Sequence, residues 1–394
     1  MSKKILLLTA VPPTKQKTGG LILDQLCRFM SKNSLVCYTI VDRIKYPRLT
    51  PDLDWIPIKY FLRYNEYIRT FLPAYLAEII DLLYLKVLTK KIVKFARKNN
   101  VEAIWCVLEG LTLIRLASRI KKELGIPLIT QVWDPPEWWL RVRKIAPKYR
   151  DKTIQEFERA LRESQACATT SWAMAKEYYD KYGVETITLL PSLAPEMALP
   201  PSSQPHDRKE YIIALAGQIY AKKEWEALIA ALDLVNWQIN HRPVKINLLG
   251  RFNIEKKPGI NFLGWQSQTD TIKKLSEADL LYCPYWFDPV YEKETRLSFP
   301  SKVTTYLASG RPVFFHGPAY ASIAKFLVAT DTGYTCHSLK PKDIVDSLTK
   351  VFSDVNLYSQ LTANGRQTFD RYFTTSSLRN NFNKFINIGL GLKG

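Results

Sequence analysis

RLSFPSKVTTYLASGRPVFF, residues Arg296 to Phe315, reads as three pieces in a row: a loop, a short helix and a buried strand. Pro300 pre-sets the start of a helix, with Ser301 and Lys302 in its first turn, and Gly310 ends it before Pro312 opens an apolar run. A cation is disfavoured at the positive end of a helix dipole. Lys302 there makes sense if an anion is bound, with main-chain N–H groups completing the clamp. The alternative is an ordinary loop, helix and strand carrying a solvated lysine.

Moving outward from this stretch, the same rhythm continues. Toward the N-terminus lie a strand in YIIALAGQIY from Tyr211, a helix over Glu224–Val235, strands at Val244–Leu249 and Ile260–Phe262, a helix over Thr269–Glu277 and a strand over Asp279–Cys283. The helix after the Pro-Ser turn is predicted over Ser301–Ala308 and its strand over Pro312–Phe315. Before Tyr211 the pattern breaks at PSLAPEMALPPSSQPHDRKE, rich in proline and serine, which is the linker candidate. Ahead of it, short apolar runs at Ile5–Thr9, Leu35–Val41, Ala103–Leu108, Pro127–Val132 and Gln165–Thr169 alternate with helical stretches at Leu113–Leu124 and Lys152–Glu163. Alternation of this kind argues for parallel sheets wound with helices, an α/β chain.

At 394 residues the chain suits two domains of roughly 150 to 200 residues better than one core. The boundaries expected are 1–198, a linker at 199–210, 211–368, and a C-terminal helix at 369–394 returning to the first domain. Open parallel sheets bind ligands at the carboxyl ends of their strands, so two Rossmann-like doubly wound domains would frame a cleft. The N-terminal apolar run is too short to span a bilayer and has no cleavage site, and Phe71–Leu88 is interrupted by Glu78, Asp81 and Lys86 at the spacing of a polar helix face. A cytoplasmic chain is expected. Six scattered cysteines read as buried free thiols, and four histidines without paired spacing give no zinc signature. The net charge of +19 exceeds what solubility needs and points to polyanionic partners, or to a generally basic surface.

The Arg296–Phe315 stretch resembles the donor-site motif of retaining GT-B glycosyltransferases (glycosyltransferase family 4, group 1-like), in the variant running Pro-Ser-Lys, a hydrophobic residue, two variable positions, then a Tyr-Leu-Ala-x-Gly-Arg-Pro-Val-like ending. The resemblance implies that Ser298 and Phe299 line the donor sugar and that Ser301 and Lys302 meet the phosphates. Many relatives carry two glutamates eight positions apart, where this chain has Leu297 and Thr305. Thr305 can offer the ribose one hydrogen bond but not a carboxylate's bidentate grip. A second match, AGQIYAKKEWEALIAAL from Ala216 to Leu232, implies that Gly217 lets the backbone pass close to the donor and that Lys223 is the cation facing the diphosphate, with Gln218 where arginine is common. Lys222 reads as solvated.

In the first half, the Gly19–Gly20 pair reads as part of a loop between strand and helix, either a plain turn or a donor-side glycine loop. LITQVWDPPEWWLRVR resembles the strand and loop at which relatives place an acidic residue beside the donor sugar; Asp134 aligns with it, and Trp133 stands at the usual histidine position. Asp134 would orient a hydroxyl, take the acceptor proton or steady an oxocarbenium charge, unless it is only a helix cap or turn residue. Glu137, Trp138 and Trp139 are acceptor-side candidates, the tryptophans equally suited to core. Ser171 falls at the turn after a strand, and YYDKYGVETITLLP from Tyr178 to Pro191 resembles the end of the family's first domain.

The resemblance implies metal-independent transfer of a sugar from a nucleotide-sugar to a saccharide or lipid-linked acceptor, with retention of configuration, in cell-envelope polysaccharide or glycolipid synthesis. The donor is a substrate; no cofactor and no metal are implied. Rings and cations mixed between Lys59 and Lys98 (Tyr60, Phe61, Tyr64, Tyr67, Phe71 and Tyr75 with Lys59, Arg63 and Arg69, then Lys90, Lys91, Lys94, Arg97 and Lys98) suit either peripheral contact with an anionic membrane or a helical layer packed on a sheet. Two further readings stay open, a sugar-nucleotide epimerase on the same fold and a non-catalytic polyanion or RNA binder. The stacking motifs of common RNA-binding modules are missing, which counts against nucleic acid.

Overall fold

The computed structural model describes residues 3–15, 18–42, 51–63, 73–142, 145 and 147–392. The chain divides into two compact units: unit one runs to Leu189 and resumes at Arg379, and unit two is Leu190–Leu378.

Unit one holds a seven-stranded parallel sheet of β1 (Ile5–Thr9), β2 (Leu35–Asp42), β3 (Ile58–Arg63), β4 (Ala103–Val107), β5 (Leu128–Val132), β6 (Ala166–Thr169) and β7 (Glu185–Thr188), in the order β3-β2-β1-β4-β5-β6-β7. Its helices are α1 (Thr18–Cys27), α2 (Ala74–Lys98), α3 (Gly110–Leu124), α4 (Pro136–Val142), α5 (Pro147–Arg162) and α6 (Trp172–Tyr182). β1, β4 and β5 are buried at every position because helices cover both faces of the sheet, which is why they read as unbroken apolar runs. Strand order reverses between β1 and β4, so the loops after those strands flank the switch point.

Unit two repeats the plan with β8 (Tyr211–Ala216), β9 (Gln238–Ile239), β10 (Arg242–Leu249), β11 (Ile260–Gly264), β12 (Leu280–Pro284), β13 (Val313–His316) and β14 (Gly333–Cys336), ordered β11-β10-β8-β12-β13-β14 with β9 antiparallel on β10. The helices are α7 (Lys222–Leu234), α8 (Gln268–Ser276), α9 (Glu292–Leu297), α10 (Lys302–Ala308), α11 (Ser322–Thr330), α12 (Pro341–Ser353), α13 (Val355–Tyr372) and α14 (Thr375–Gly389). The reversal here falls between β8 and β12.

From Arg379 onward α14 belongs to unit one, where Phe382 and Phe385 pack on Trp105 with the nearer ring centroids 5.3 Å apart. Both phenylalanines are fully buried, each burial stabilising by about 1.5–3 kcal/mol. The Trp105 indole N–H donates to Gln131 Oε1 at 3.1 Å, so the one polar atom of this cluster is satisfied.

Three expectations change. Gly19 and Gly20 lie in the first turn of α1 rather than in a loop, and the close packing there leaves no room for a side chain: a Cβ on Gly19 would sit 2.6 Å from the Trp133 ring and one on Gly20 2.4 Å from Thr14 Cγ2. Glu78 and Asp81 do not form the wet side of α2: they face inward to Arg115 of α3, at 3.2 and 3.4 Å. The Pro/Ser segment before Tyr211 is strapped to unit two by main-chain hydrogen bonds, Leu193 N to Phe373 O (2.9 Å), Leu199 N to Ala308 O (2.8 Å) and Ser202 N to Gly310 O (3.0 Å). It lacks periodicity because its partners are the C-terminal ends of α10 and α13, not a neighbouring strand face. All six cysteines are free and buried. Among the described residues no helix is long and apolar enough to cross a membrane.

Candidate active site

In unit two the carboxyl ends of β8, β10 and β12 form a crevice shaped by main chain. β8 and β12 pair only at Ile213–Leu280 and Ala214–Leu281, then part. The buried Tyr306 hydroxyl fills the opening, accepting from Ala216 N and donating to Tyr282 O, both at 3.0 Å, and so satisfies a strand N–H that has lost its ladder partner. Directly after β8, Gly217 has φ +99°, and Gly250, after β10, has φ +140° with room for no Cβ: that atom would lie 2.5 Å from Gly217 O. Both positions require glycine, one for its dihedral and the other for dihedral and space together.

Lys302, the first residue of α10, reaches into this place. Its ammonium donates to Gln218 O at 3.3 Å and lies 6.0 Å from the Tyr220 ring centre, and a Cβ on Gly217 would be 3.9 Å from its Nζ. Desolvation by the surrounding atoms lowers its pKa below the ordinary lysine value. It forms no ion pair among the described residues. An unpaired, partly desolvated cation beside strand-end glycines is suited to an incoming anion.

Lys223 behaves differently. In the first turn of α7, with its side chain 67% exposed, it is held by Asp288 Oδ2 at 3.1 Å. The Val290 N–H and then the Lys223 hydrogen bond hold the Asp288 carboxyl below its usual pKa. Lys222 is exposed, with Glu226 the nearest acid at 3.6 Å. The next residue, Glu224, is buried and escaped the sequence reading: its Oε1 accepts from Phe287 N at 2.6 Å, its carbonyl lies 3.0 Å from the Tyr282 hydroxyl, and burial raises its pKa. Glu224 thereby fixes the loop after β12, where the Trp286 indole donates to Tyr220 O and its ring stacks on Tyr291 at 4.9 Å.

Of the other residues read from the motif, Ser298 caps the end of α9 and its carbonyl accepts from the Ser322 hydroxyl. The Phe299 ring packs on Phe326 and Phe373, so it borders the core as well as the Pro300–Ser301 turn. Ser301 is exposed, Thr305 half-buried on α10, and Leu297 fully buried. The Pro-Ser-Lys turn and the Gly217 turn therefore meet through Lys302, while Lys223 stands apart on its ion pair.

In unit one the contact of Gly19 with Trp133 brings the start of α1 against the turn between β5 and α4. Asp134, half-buried, is next in that turn, which is pinned by the Thr170 hydroxyl donating to Trp133 O at 2.7 Å. Glu137 and Trp138 are half-buried in the first turns of α4; the backbone of Trp139 is in α4, and its side chain lies outside the described residues. Ser171 caps α6, accepting from Met174 N at 2.9 Å. Among the described residues no group of His, Cys, Asp and Glu is arranged to hold a metal ion.

No protein-family model matches the chain, and no curated protein sequence does. Solved structures do match in fold. HepE of Anabaena, solved with UDP, matches with a TM-score of 0.67 at 12% identity, over 98% of this chain and 99% of that one. Sucrose-phosphate synthase of Thermosynechococcus elongatus matches at 0.69 with 11% identity, over 99% and 100%. A glycosyltransferase of Rickettsia africae matches at 0.63 with 13% identity, over 98% and 99%. The fold is the GT-B fold, two parallel-sheet α/β domains.

Proposed function

We propose that the chain is a retaining, metal-independent glycosyltransferase that moves a hexosyl group from a nucleotide-sugar, a UDP-sugar in the first instance, to a saccharide or lipid-linked acceptor of the cell envelope at the cytoplasmic, anionic face of a membrane. One observation carries the reading: the Lys302 ammonium, without an ion-pair partner among the described residues, set against the Gly217–Gln218 backbone at the switch point of unit two. Breaking a sugar–phosphate bond leaves a nucleoside diphosphate with added negative charge. A preorganised cation and N–H dipoles aimed at that charge lower the barrier without a metal. HepE, of the same fold, was solved with UDP, with UDP and glucose, and with UDP-glucose, which supports uridine as the base to try first.

In this reading Lys302 and the first amides of α10 hold the diphosphate, Lys223 joins them by leaving Asp288, and Ser298, Phe299 and Thr305 border sugar and ribose. Asp134 orients a sugar hydroxyl or takes the acceptor proton, and Glu137, Trp138 and Trp139 receive the acceptor. The test is thermal melting with UDP, GDP, ADP and CMP, each with and without sugar. A ligand that binds only the native state at about a hundredfold above its Kd stabilises by about 2.7 kcal/mol. UDP and UDP-sugars should raise the melting temperature, and Lys302→Ala should abolish the rise. If none of the nucleotides stabilises the chain, the proposal fails.

A further inference from the structure

The outward strip of α2 changes chemistry along its length. Ala77, Leu85, Leu88, Ile92 and Ala96 face the core, and Glu78 with Asp81 face Arg115. On the opposite side Leu76, Ile79, Leu83 and Val87 recur at spacings of three and four, so they stack along one line of the helix. They are 49%, 37%, 61% and 47% exposed. The same line continues with Lys90, Lys94 and Lys98, all exposed. At about 1.5 Å per residue the apolar part runs about 16 Å and the cationic part about 12 Å.

Beside the cationic part lies a groove of about 950 Å³ between α2, α3 and α5. Lys86, Lys90, Lys94 and Lys122 line it and form no ion pair among the described residues. Of its acids, Glu156 is taken by Arg115 at 3.3 Å and Arg119 at 3.7 Å.

Contiguous exposed leucine-type side chains on a soluble helix mark a surface that something covers. A second copy of the chain is a poor fit, because the strip carries no Asp or Glu to meet its lysines. A bilayer bearing anionic lipid supplies both chemistries, acyl boundary for the leucines and headgroup phosphate for the lysines.

We propose that α2 docks unit one on anionic membrane, lying obliquely with its Leu76–Val87 end deeper and Lys90–Lys98 among the headgroups. The tilt follows from apolar and cationic residues standing in series along one line; a helix lying flat carries them on opposite faces. The inference deepens the membrane-side part of the proposed function but rests on α2 alone.

The experiment is co-sedimentation with vesicles of phosphatidylglycerol and phosphatidylcholine, against phosphatidylcholine alone, at low and high salt and without donor or acceptor. Binding is expected only to the anionic vesicles and should weaken with salt. The pair Lys90→Ala with Lys94→Ala should lower partition roughly 30-fold, and Leu83→Ser with Val87→Ser about tenfold or more. A fluorophore on Leu83→Cys should shift to the blue on vesicles, and one on Lys98→Cys should not. Failure to bind anionic vesicles overturns the proposal. So does vesicle binding that the Leu83/Val87 pair leaves unchanged and inorganic tripolyphosphate competes away, since that describes a site for free polyanions. These positions are exposed, so the variants should melt as the parent does. A retained UDP-induced melting shift would separate loss of docking from loss of the donor site.

Discussion

The two units share a winding scheme, each reversing strand order beside its first strand, yet their strand-end crevices are made of different material. In unit two the crevice is main chain: Gly217 and Gly250 at positive φ, Tyr306 bridging strands that have parted, and a cation, Lys302, without a counter-charge among the described residues. In unit one the equivalent place has a side-chain wall at Gly19, which is pressed against the Trp133 ring, while Gly20, in the same helical turn, meets Thr14 Cγ2 with the Thr14 and Pro12 carbonyls close behind. A backbone-built pocket tolerates little change and suits a constant chemical group such as a diphosphate. A side-chain wall can vary with the group it meets.

Removing the unpaired cation should separate the units most sharply. Lys302→Ala is expected to lower transfer by about 10²–10³-fold, the scale of losing one preorganised charge donor, while the melting temperature without ligand barely moves. Initial rates with UDP-sugar check this, and a loss below tenfold would move the anion site elsewhere. Replacing Asp134 by Asn gives the counterpart for unit one.

A second difference lies in acid sensitivity, because all four histidines belong to unit two. His316 is held neutral: burial chiefly, and the nearby His337, lower its pKa to about 4, although the Ser338 carbonyl opposes the shift. Its ring bridges the Tyr282 hydroxyl and Ser338 O, both at 2.8 Å. As pH falls through the ordinary histidine value of about 6.5 the unfolded chain takes a proton that folded His316 refuses, so stability drops between about pH 6.5 and 4, by up to about 3 kcal/mol. Denaturant titrations across that window should show the slope, and His316→Gln should flatten it.

The glycines test the comparison directly. Gly250→Ala puts a Cβ 2.5 Å from rigid backbone at φ +140°, and should cost about 2–3 kcal/mol. Gly19→Ala meets the rim of a tryptophan ring that can shift, and should cost about 1 kcal/mol. Equal losses in chemical denaturation would erase the distinction between backbone-built and side-chain-built crevices. The smallest effect belongs to Lys223→Ala, at most about fivefold in UDP affinity, since an exposed ion pair is worth about 0–1 kcal/mol. Asp288→Asn should strengthen UDP binding slightly by freeing that lysine.

Legibility followed burial. The strands β1, β4, β5, β8, β12 and β13 are buried at all or all but one of their positions, and their apolar runs mark them to within about two residues. β3, β7 and β14 escaped because IKYFLR, ETIT and GYTC are half wet and carry no apolar run, whereas β11, also at a sheet edge, kept enough of one in INFLG to be read. In the stretch of mixed rings and cations, Tyr64, Tyr67, Arg69 and Phe71, with the side chain of Tyr75, lie outside the described residues; the leucine-to-lysine strip that follows is hidden in the sequence when Glu78 and Asp81 are read as its wet side. Glu224 was invisible because nothing in a sequence says that a first-turn glutamate will be buried on a loop 63 residues away.

The order of strands and helices, the Pro-Ser-Lys turn and the glycine after β8 were determined by the sequence itself, because burial period and turn chemistry act over a few neighbouring residues. Tertiary structure alone decided which cation is free and which is held: Lys302 and Lys223 look alike in their motifs, and only the long-range placement of Asp288 at 3.1 Å from Lys223, with no acid beside Lys302 among the described residues, tells them apart. Charge pairing is set by distance in space, which no local pattern encodes.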